Sequence, residues 1–301
     1  MFIINHRPFF FWLTGALLAG AVAAIVFWGL PLSVEFTGGS LVEVRYTETR
    51  PELAALHEKL QPLALGEVSL RDSGEQNIVL RSRTLSPEDY TAVLAALAPS
   101  TGTVEALRFS SVGSSLGNEL TRKALWAIGA VMLAIMLYIA WAFRKVSKPV
   151  PSWGYGVTVV LMLAIDIIVP AGFFAGLAHF TGAEVDTLFV IALLALLGYC
   201  VNDVIVIFDR IREHLAHNEQ KGIREPFEET IGKSITETLG RSINTSLTVV
   251  IALLALVFFG PAATVNFSLV MLVGVLAGTF SSICRSAPLL IPIARWIGKK
   301  A

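Results

Sequence analysis

Charge is scarce in this sequence. Of its 301 residues 15% are charged and 54% are hydrophobic, whereas a soluble domain carries about 25% charged residues. A soluble globular protein is excluded. Such charge as exists is balanced, 23 Lys and Arg against 23 Asp and Glu, so nothing suggests nucleic acid as a partner. Cysteine is almost missing. Cys200 and Cys284 both lie inside apolar runs, which leaves neither a disulfide framework nor a CxxC metal site. No GxSxG, HExxH or Walker A sequence occurs, and no enzyme, cofactor or resident metal is expected.

What is present is a series of long apolar runs. About 18 or more such residues cross the roughly 30 Å hydrocarbon core of a bilayer. Six spans are expected, at 9–30, 122–143, 153–176, 185–208, 242–260 and 265–290. The first follows His6 and Arg7 and opens with Phe9, Phe10, Phe11 and Trp12, where an interfacial aromatic belt would lie. It is too long for the apolar part of a signal peptide and reads as an uncleaved anchor. Lys and Arg gather in the loop after the second span (Arg144, Lys145, Lys148), in the segment 209–241, and at Arg295, Lys299 and Lys300. The loops 179–184 and 260–264 hold none. The positive-inside rule then places both termini in the cytoplasm, and 31–121 on the far side of a cytoplasmic (inner) membrane.

That polar stretch, 31–121, is long enough for one small domain. Leu41 to Tyr46 alternates with period two, as a half-buried strand does. Pro51 to Gln61 places Leu53, Leu56 and Leu60 at helical spacing. Glu67 to Arg71 and Asn77 to Ser82 are short strands about the turn signal Asp72-Ser73-Gly74-Glu75. Ser86 and Pro87 open a second helix as N-cap and first residue, and Thr103 to Phe109 gives a last strand. The order β-α-β-β-α-β is ferredoxin-like. The expected fold is a polytopic α-helical membrane protein with six transmembrane helices and one α+β ferredoxin-like extracytoplasmic domain between helices 1 and 2.

Polar residues inside the spans mark the candidate site. Asp203 and Asn202 sit deep in the fourth run, and an intramembrane carboxylate is a functional hypothesis by default. Ser or Thr would join helices at lower energetic cost, so Asp203 reads as a proton-binding group; ionised, it needs water or a cation nearby. Arg241, at the cytoplasmic start of the fifth span, is the candidate cation, although on spacing alone it reads as a snorkelling interfacial arginine. Asn244, Thr245 and Ser246 just beyond it suggest a wetted helix face. Asp166 in the third span either belongs to a proton route or satisfies a neighbour. Glu184 and Asp186 read as interfacial, and Arg285 near the inner end of the sixth span as snorkelling. Gly38 and Gly39 are a candidate hinge, with a tight turn as the simpler reading. Two embedded aspartates raise an intramembrane aspartyl protease, but neither Asp166 nor Asp203 stands in a GxGD sequence.

Four blocks carry a resemblance: Glu35-Phe36-Thr37-Gly38-Gly39, the stretch from Ser111 to Leu120, Gly198 to Glu213, and Arg241 to Thr248. With these the chain resembles the SecD/SecF protein-export family of the resistance-nodulation-division superfamily, on its SecF side. The resemblance implies a subunit that uses the proton gradient to promote Sec-dependent translocation of an unfolded preprotein. Its implied partners are SecD, the SecYEG translocon, SecA indirectly, YajC and YidC, and membrane lipid. It also implies that Asp203 is the proton-path aspartate and Arg241 its partner, with a role for Asp166. This chain departs from the family pattern with Glu35 for Asp, Cys200 for Ser, Val204 for Thr, Ser114 for Pro, and a charge at Arg285. A small-molecule exporter of the same superfamily is the competing expectation.

Overall fold

The computed structural model describes residues 2–47, 51–73, 76–98, 103–144 and 149–298. Gly74 and Glu75 of the expected turn lie outside the described residues, as do the basic residues Lys145, Lys148, Lys299 and Lys300. The chain runs α1 (Phe2–Asn5), α2 (Arg7–Trp28), α3 (Val34–Thr37), β1 (Gly39–Tyr46), α4 (Leu53–Leu60), β2 (Ser69–Ser73), β3 (Asn77–Ser82), α5 (Pro87–Leu97) and β4 (Val104–Val112). It continues with α6 (Ser114–Ala142), α7 (Ser152–Thr181), α8 (Thr187–Lys221), α9 (Phe227–Phe259), α10 (Ala262–Ser281), a π-helical turn (Ser282–Ser286) and α11 (Ala287–Gly298). Two compact units result, one comprising 30–125 and 177–187, the other the remainder.

The smaller unit is the ferredoxin-like domain. Its antiparallel sheet has the order β2-β3-β1-β4, the arrangement that the β-α-β-β-α-β sequence pattern implies. Val42, Val44 and Tyr46 of β1 join Ile78 and Leu80 of β3, Leu56 and Leu60 of α4, and Val93 and Leu97 of α5 in one core. The period-two spacing of the strands puts these side chains on a single face. Tyr46 buries its ring and donates its hydroxyl to the Leu97 carbonyl at 2.8 Å. Ser86 and Asp89 close a capping box on α5, satisfying backbone donors that the helix start leaves free.

A knot of three chain segments forms the base of this unit. Leu32 and Val185 form an isolated parallel bridge, with Ser33 N–H on the Val185 carbonyl (2.9 Å) and Val185 N–H on the Pro31 carbonyl (2.8 Å). Arg81 of β3 donates to the Leu32 carbonyl at 2.9 Å and pairs with Glu184 at 3.1 Å. Burial pushes the Glu184 carboxyl above its usual range, against the pull of Arg81. Glu35 accepts the backbone N–H of Thr187, the first residue of α8, at 2.8 Å and Arg108 of β4 at 3.4 Å. A carboxylate on a free helix-start N–H also favours the helix dipole.

The larger unit is helical. Among the described residues six helices are long and apolar enough to cross a membrane: Arg7–Trp28, Ser114–Ala142, Ser152–Thr181, Thr187–Lys221, Phe227–Phe259 and Ala262–Trp296. In α8 the residues Ala192, Leu196, Cys200, Asp203, Ile207 and Ile211 are buried, a stripe at three- and four-residue steps. It meets Gly274 and Gly278 of α10, where a β-carbon would collide with the Leu196 side chain and the Cys200 sulfur. Small residues four apart let two membrane helices approach closely. The polar stretch after the fourth span is helical nearly throughout, since α8 continues to Lys221 and α9 begins at Phe227. Arg210 and His214 of α8 bond Glu237 of α9, and hydrogen bonds from Lys233 and Asn218 hold the Glu225 carboxyl below the usual carboxylate range.

Candidate functional site: a carboxylate among hydroxyls

Asp203 lies about 24 Å along α8 from Thr187 at 1.5 Å per residue. It is 6% exposed. The close approach of α8 to α10 brings it to Ser282, whose hydroxyl donates to Asp203 Oδ2 at 3.3 Å. Ser242 of α9 also faces it, and the Ser242 hydroxyl is buried with no hydrogen-bond partner among the described residues. One turn before Asp203 on the same helix, Tyr199 donates to Ser246 Oγ of α9 (2.9 Å), which in turn meets Thr279 Oγ1 of α10 at 2.6 Å. Ser282 reaches the Thr279 carbonyl at 3.0 Å. Hydroxyls from three helices thus line one side of the acid. None of them was singled out from sequence as its partner, because Ser and Thr are ordinary in membrane helices.

The second acid has a different neighbour. Asp166 of α7 is paired with Arg285 of the π-helical turn at 3.1 Å, both side chains being almost wholly buried. This corrects the expectation that Arg285 snorkels to the interface. A guanidinium in the bundle interior needs a carboxylate partner, and Asp166 supplies it. The widened turn has a local cause two residues on. Pro288 carries no N–H to bond the carbonyl four residues back, and its ring crowds that carbonyl.

The other candidate residues are spread out. Arg241 is exposed on α9 and acts on Asp203 through space, with no salt bridge to it among the described residues. Asn202 is exposed, about 100° round the helix from Asp203, so it does not join the cluster. Gly38 and Gly39 belong to the smaller unit and take positive φ, 78° and 108°. A β-carbon on Gly38 would stand 2.6 Å from Ser114 Cα, and one on Gly39 would stand 2.7 Å from the Ser82 carbonyl oxygen. They form a crowded turn, a geometry only glycine fits. Among the described residues no group of His, Cys, Asp and Glu is placed to hold a metal ion.

Comparison with known proteins bears on this arrangement. A family model described as protein export membrane protein SecD/SecF, C-terminal, matches residues 92–296. The chain belongs to the SecD/SecF family. The protein translocase subunit SecF of Thermobaculum terrenum is 35% identical over 303 residues, covering 96% of this chain and 92% of that protein. SecF of Helicobacter pylori is 34% identical over 267 residues, covering 87% and 78%. Among solved structures, SecDF of Thermus thermophilus, described as a translocon-associated membrane protein, superposes with a TM-score of 0.79 at 30% identity. The match covers 98% of this chain and 38% of that one, so the chain spans well under half the length of the solved SecDF. A SecDF structure in a super-membrane-facing form matches with a TM-score of 0.67 at 29% identity. The matched region holds every member of the Asp203 and Asp166 clusters.

Proposed function

We propose that the chain is the SecF-type subunit of a protein-export complex, working in the cytoplasmic membrane with a SecD-like partner beside the translocon. The proton gradient drives it through Asp203. Both termini lie in the cytoplasm and the ferredoxin-like domain lies outside, where it meets the emerging preprotein. The observation that carries this reading is Asp203 buried against a hydroxyl, with no salt bridge to it among the described residues. A lone carboxylate at that depth costs several kcal/mol when ionised, and its environment must serve both protonation states. Ser282 can do so, because its single hydroxyl hydrogen has two acceptors within reach, Asp203 Oδ2 and the Thr279 carbonyl. Donating to Asp203, it stabilises the carboxylate; donating to Thr279, it leaves an oxygen lone pair for the protonated acid. Arg241 supplies positive charge from outside the cluster while Asp203 is ionised. Each proton driven across 100 mV supplies about 2.3 kcal/mol, enough to bias helix packing around α8.

The separate settings of the two embedded acids favour the export reading over a protease. Asp166 and Asp203 take separate partners, whereas an aspartyl protease needs two carboxyls sharing one proton. The test is export of a reporter preprotein in cells that depend on this chain. Asp203→Asn and Arg241→Met are expected to insert and to co-purify with the SecD-like partner in normal amount, yet to lose export stimulation. Full export with either variant refutes the proton-path assignment.

A further inference from the structure

Asp166 and Arg285 are each 3% exposed and sit 119 residues apart in sequence, on α7 and on the turn between α10 and α11. All five residues of that turn are buried. Arg285 gives one guanidinium nitrogen to Asp166 Oδ1 at 3.1 Å, while its Nε is buried without a partner among the described residues. The groups facing Asp166 are Arg285 and Ser281 from the α10 side and Cys200 from α8. Those facing Asp203 are Arg241 and Ser242 from α9, Ser282 from the turn, and Tyr199 and Cys200 of its own helix. One acid has a cation in contact; the other has hydroxyls.

We propose that Asp166 and Arg285 form a permanent ion lock, in which Arg285 keeps Asp166 ionised so that it never carries a proton and instead anchors the turn bearing Ser282. The anchoring half rests on the proton-path reading of Asp203; the protonation half does not. Protonating Asp166 would leave a bare guanidinium in the bundle interior. Removing one partner of a buried pair is far more damaging than removing both. The pair is neutral as a whole and can stay in place through every cycle, while Asp203 alone changes charge. Arg285 is thereby a positioning residue, acting on Asp203 only through the turn it shares with Ser282.

Dicyclohexylcarbodiimide modifies buried carboxyls that are protonated and spares those held as carboxylates. Membranes holding the full complex are treated with it, and the labelled peptides are read by mass spectrometry. Asp203 is expected to be labelled and Asp166 spared, with at least tenfold more label on Asp166 in Arg285→Gln. Label on Asp166 in the wild type overturns the lock, and so does an unlabelled Asp166 in Arg285→Gln. A wild-type Asp203 without label counts instead against the proton-path reading. Export and membrane insertion provide the second measurement. Asp166→Asn and Arg285→Gln singly are expected to lower the inserted amount at least fivefold. The double variant Asp166→Asn/Arg285→Gln should recover insertion and export at least fivefold above either single. A double variant that inserts fully yet is as inactive as Asp203→Asn overturns the proposal, as does one no better inserted than the singles.

Discussion

Asp166 and Asp203 sit in α7 and α8 of one helical unit, yet one has a guanidinium in contact and the other a hydroxyl. A guanidinium in contact fixes a charge, while a hydroxyl with a choice of acceptors tolerates its gain or loss. Ser282 is therefore the residue whose removal should alter Asp203 without adding bulk or charge. Ser282→Ala leaves the carboxylate one donor short, and a lost hydrogen bond of this kind is worth about 0.5–1.5 kcal/mol. Export stimulation should fall roughly two- to tenfold by that arithmetic, with the inserted amount unchanged; undiminished export would count against Ser282 as the proton-linked partner. Both aspartates were legible from sequence because a carboxylate in an apolar run stands out. Arg285 was visible but misread. An arginine near the end of a span looks interfacial, and nothing local announces a partner 119 residues away. The available signal was its setting, with Ser281, Ser282 and Ser286 around it and Pro288 two residues past the turn.

Single elements carry these residues over long distances. Helix α8 is unbroken from Thr187 to Lys221, and its first N–H is held by Glu35. Helix α6 starts directly after β4, with only Gly113 between them. Its first turns press on the Glu35 segment. A β-carbon at Gly117 would stand 2.8 Å from Gly38 N and from the Phe36 carbonyl oxygen, both backbone atoms, whereas one at Gly113 meets nothing within 4 Å. Gly117→Ala should thus destabilise the base of the domain by about 1–3 kcal/mol, the usual range for overpacking. Gly113→Ala serves as the matched control, compared by thermal unfolding and protease sensitivity of the domain in detergent. Equal stability of the two would show that the junction is loose. Sequence pattern reached the order of strands and helices here but not their ends. The expected last strand ends at Phe109, yet β4 continues through Ser110 and Ser111 because they pair with Leu41 and Ser40 of β1. Ser40 also donates to the Ser111 hydroxyl at 2.7 Å. Partner strands decide such ends, and those partners lie some 70 residues away.

At the scale of the whole chain, the proposed proton-driven mechanism requires the ferredoxin-like domain and the α8–α9 polar hairpin to face opposite compartments. Otherwise a proton taken up by Asp203 could not be converted into work on a preprotein outside. The basic residues predict the side: Arg210, Arg212, Lys221, Arg224 and Lys233 all fall between the fourth and fifth spans, and such residues are retained in the cytoplasm. Scarcity of cysteine makes this testable with little background, since Cys200 and Cys284 are both buried. Glu58 on α4 and Glu219 near the end of α8 are exposed and suit single replacements. In spheroplasts, a membrane-impermeant maleimide should label Glu58→Cys at once. It should label Glu219→Cys only after the membrane is opened. The reverse pattern would put the domain in the cytoplasm, where proton flow through Asp203 could do nothing to a chain emerging on the other side.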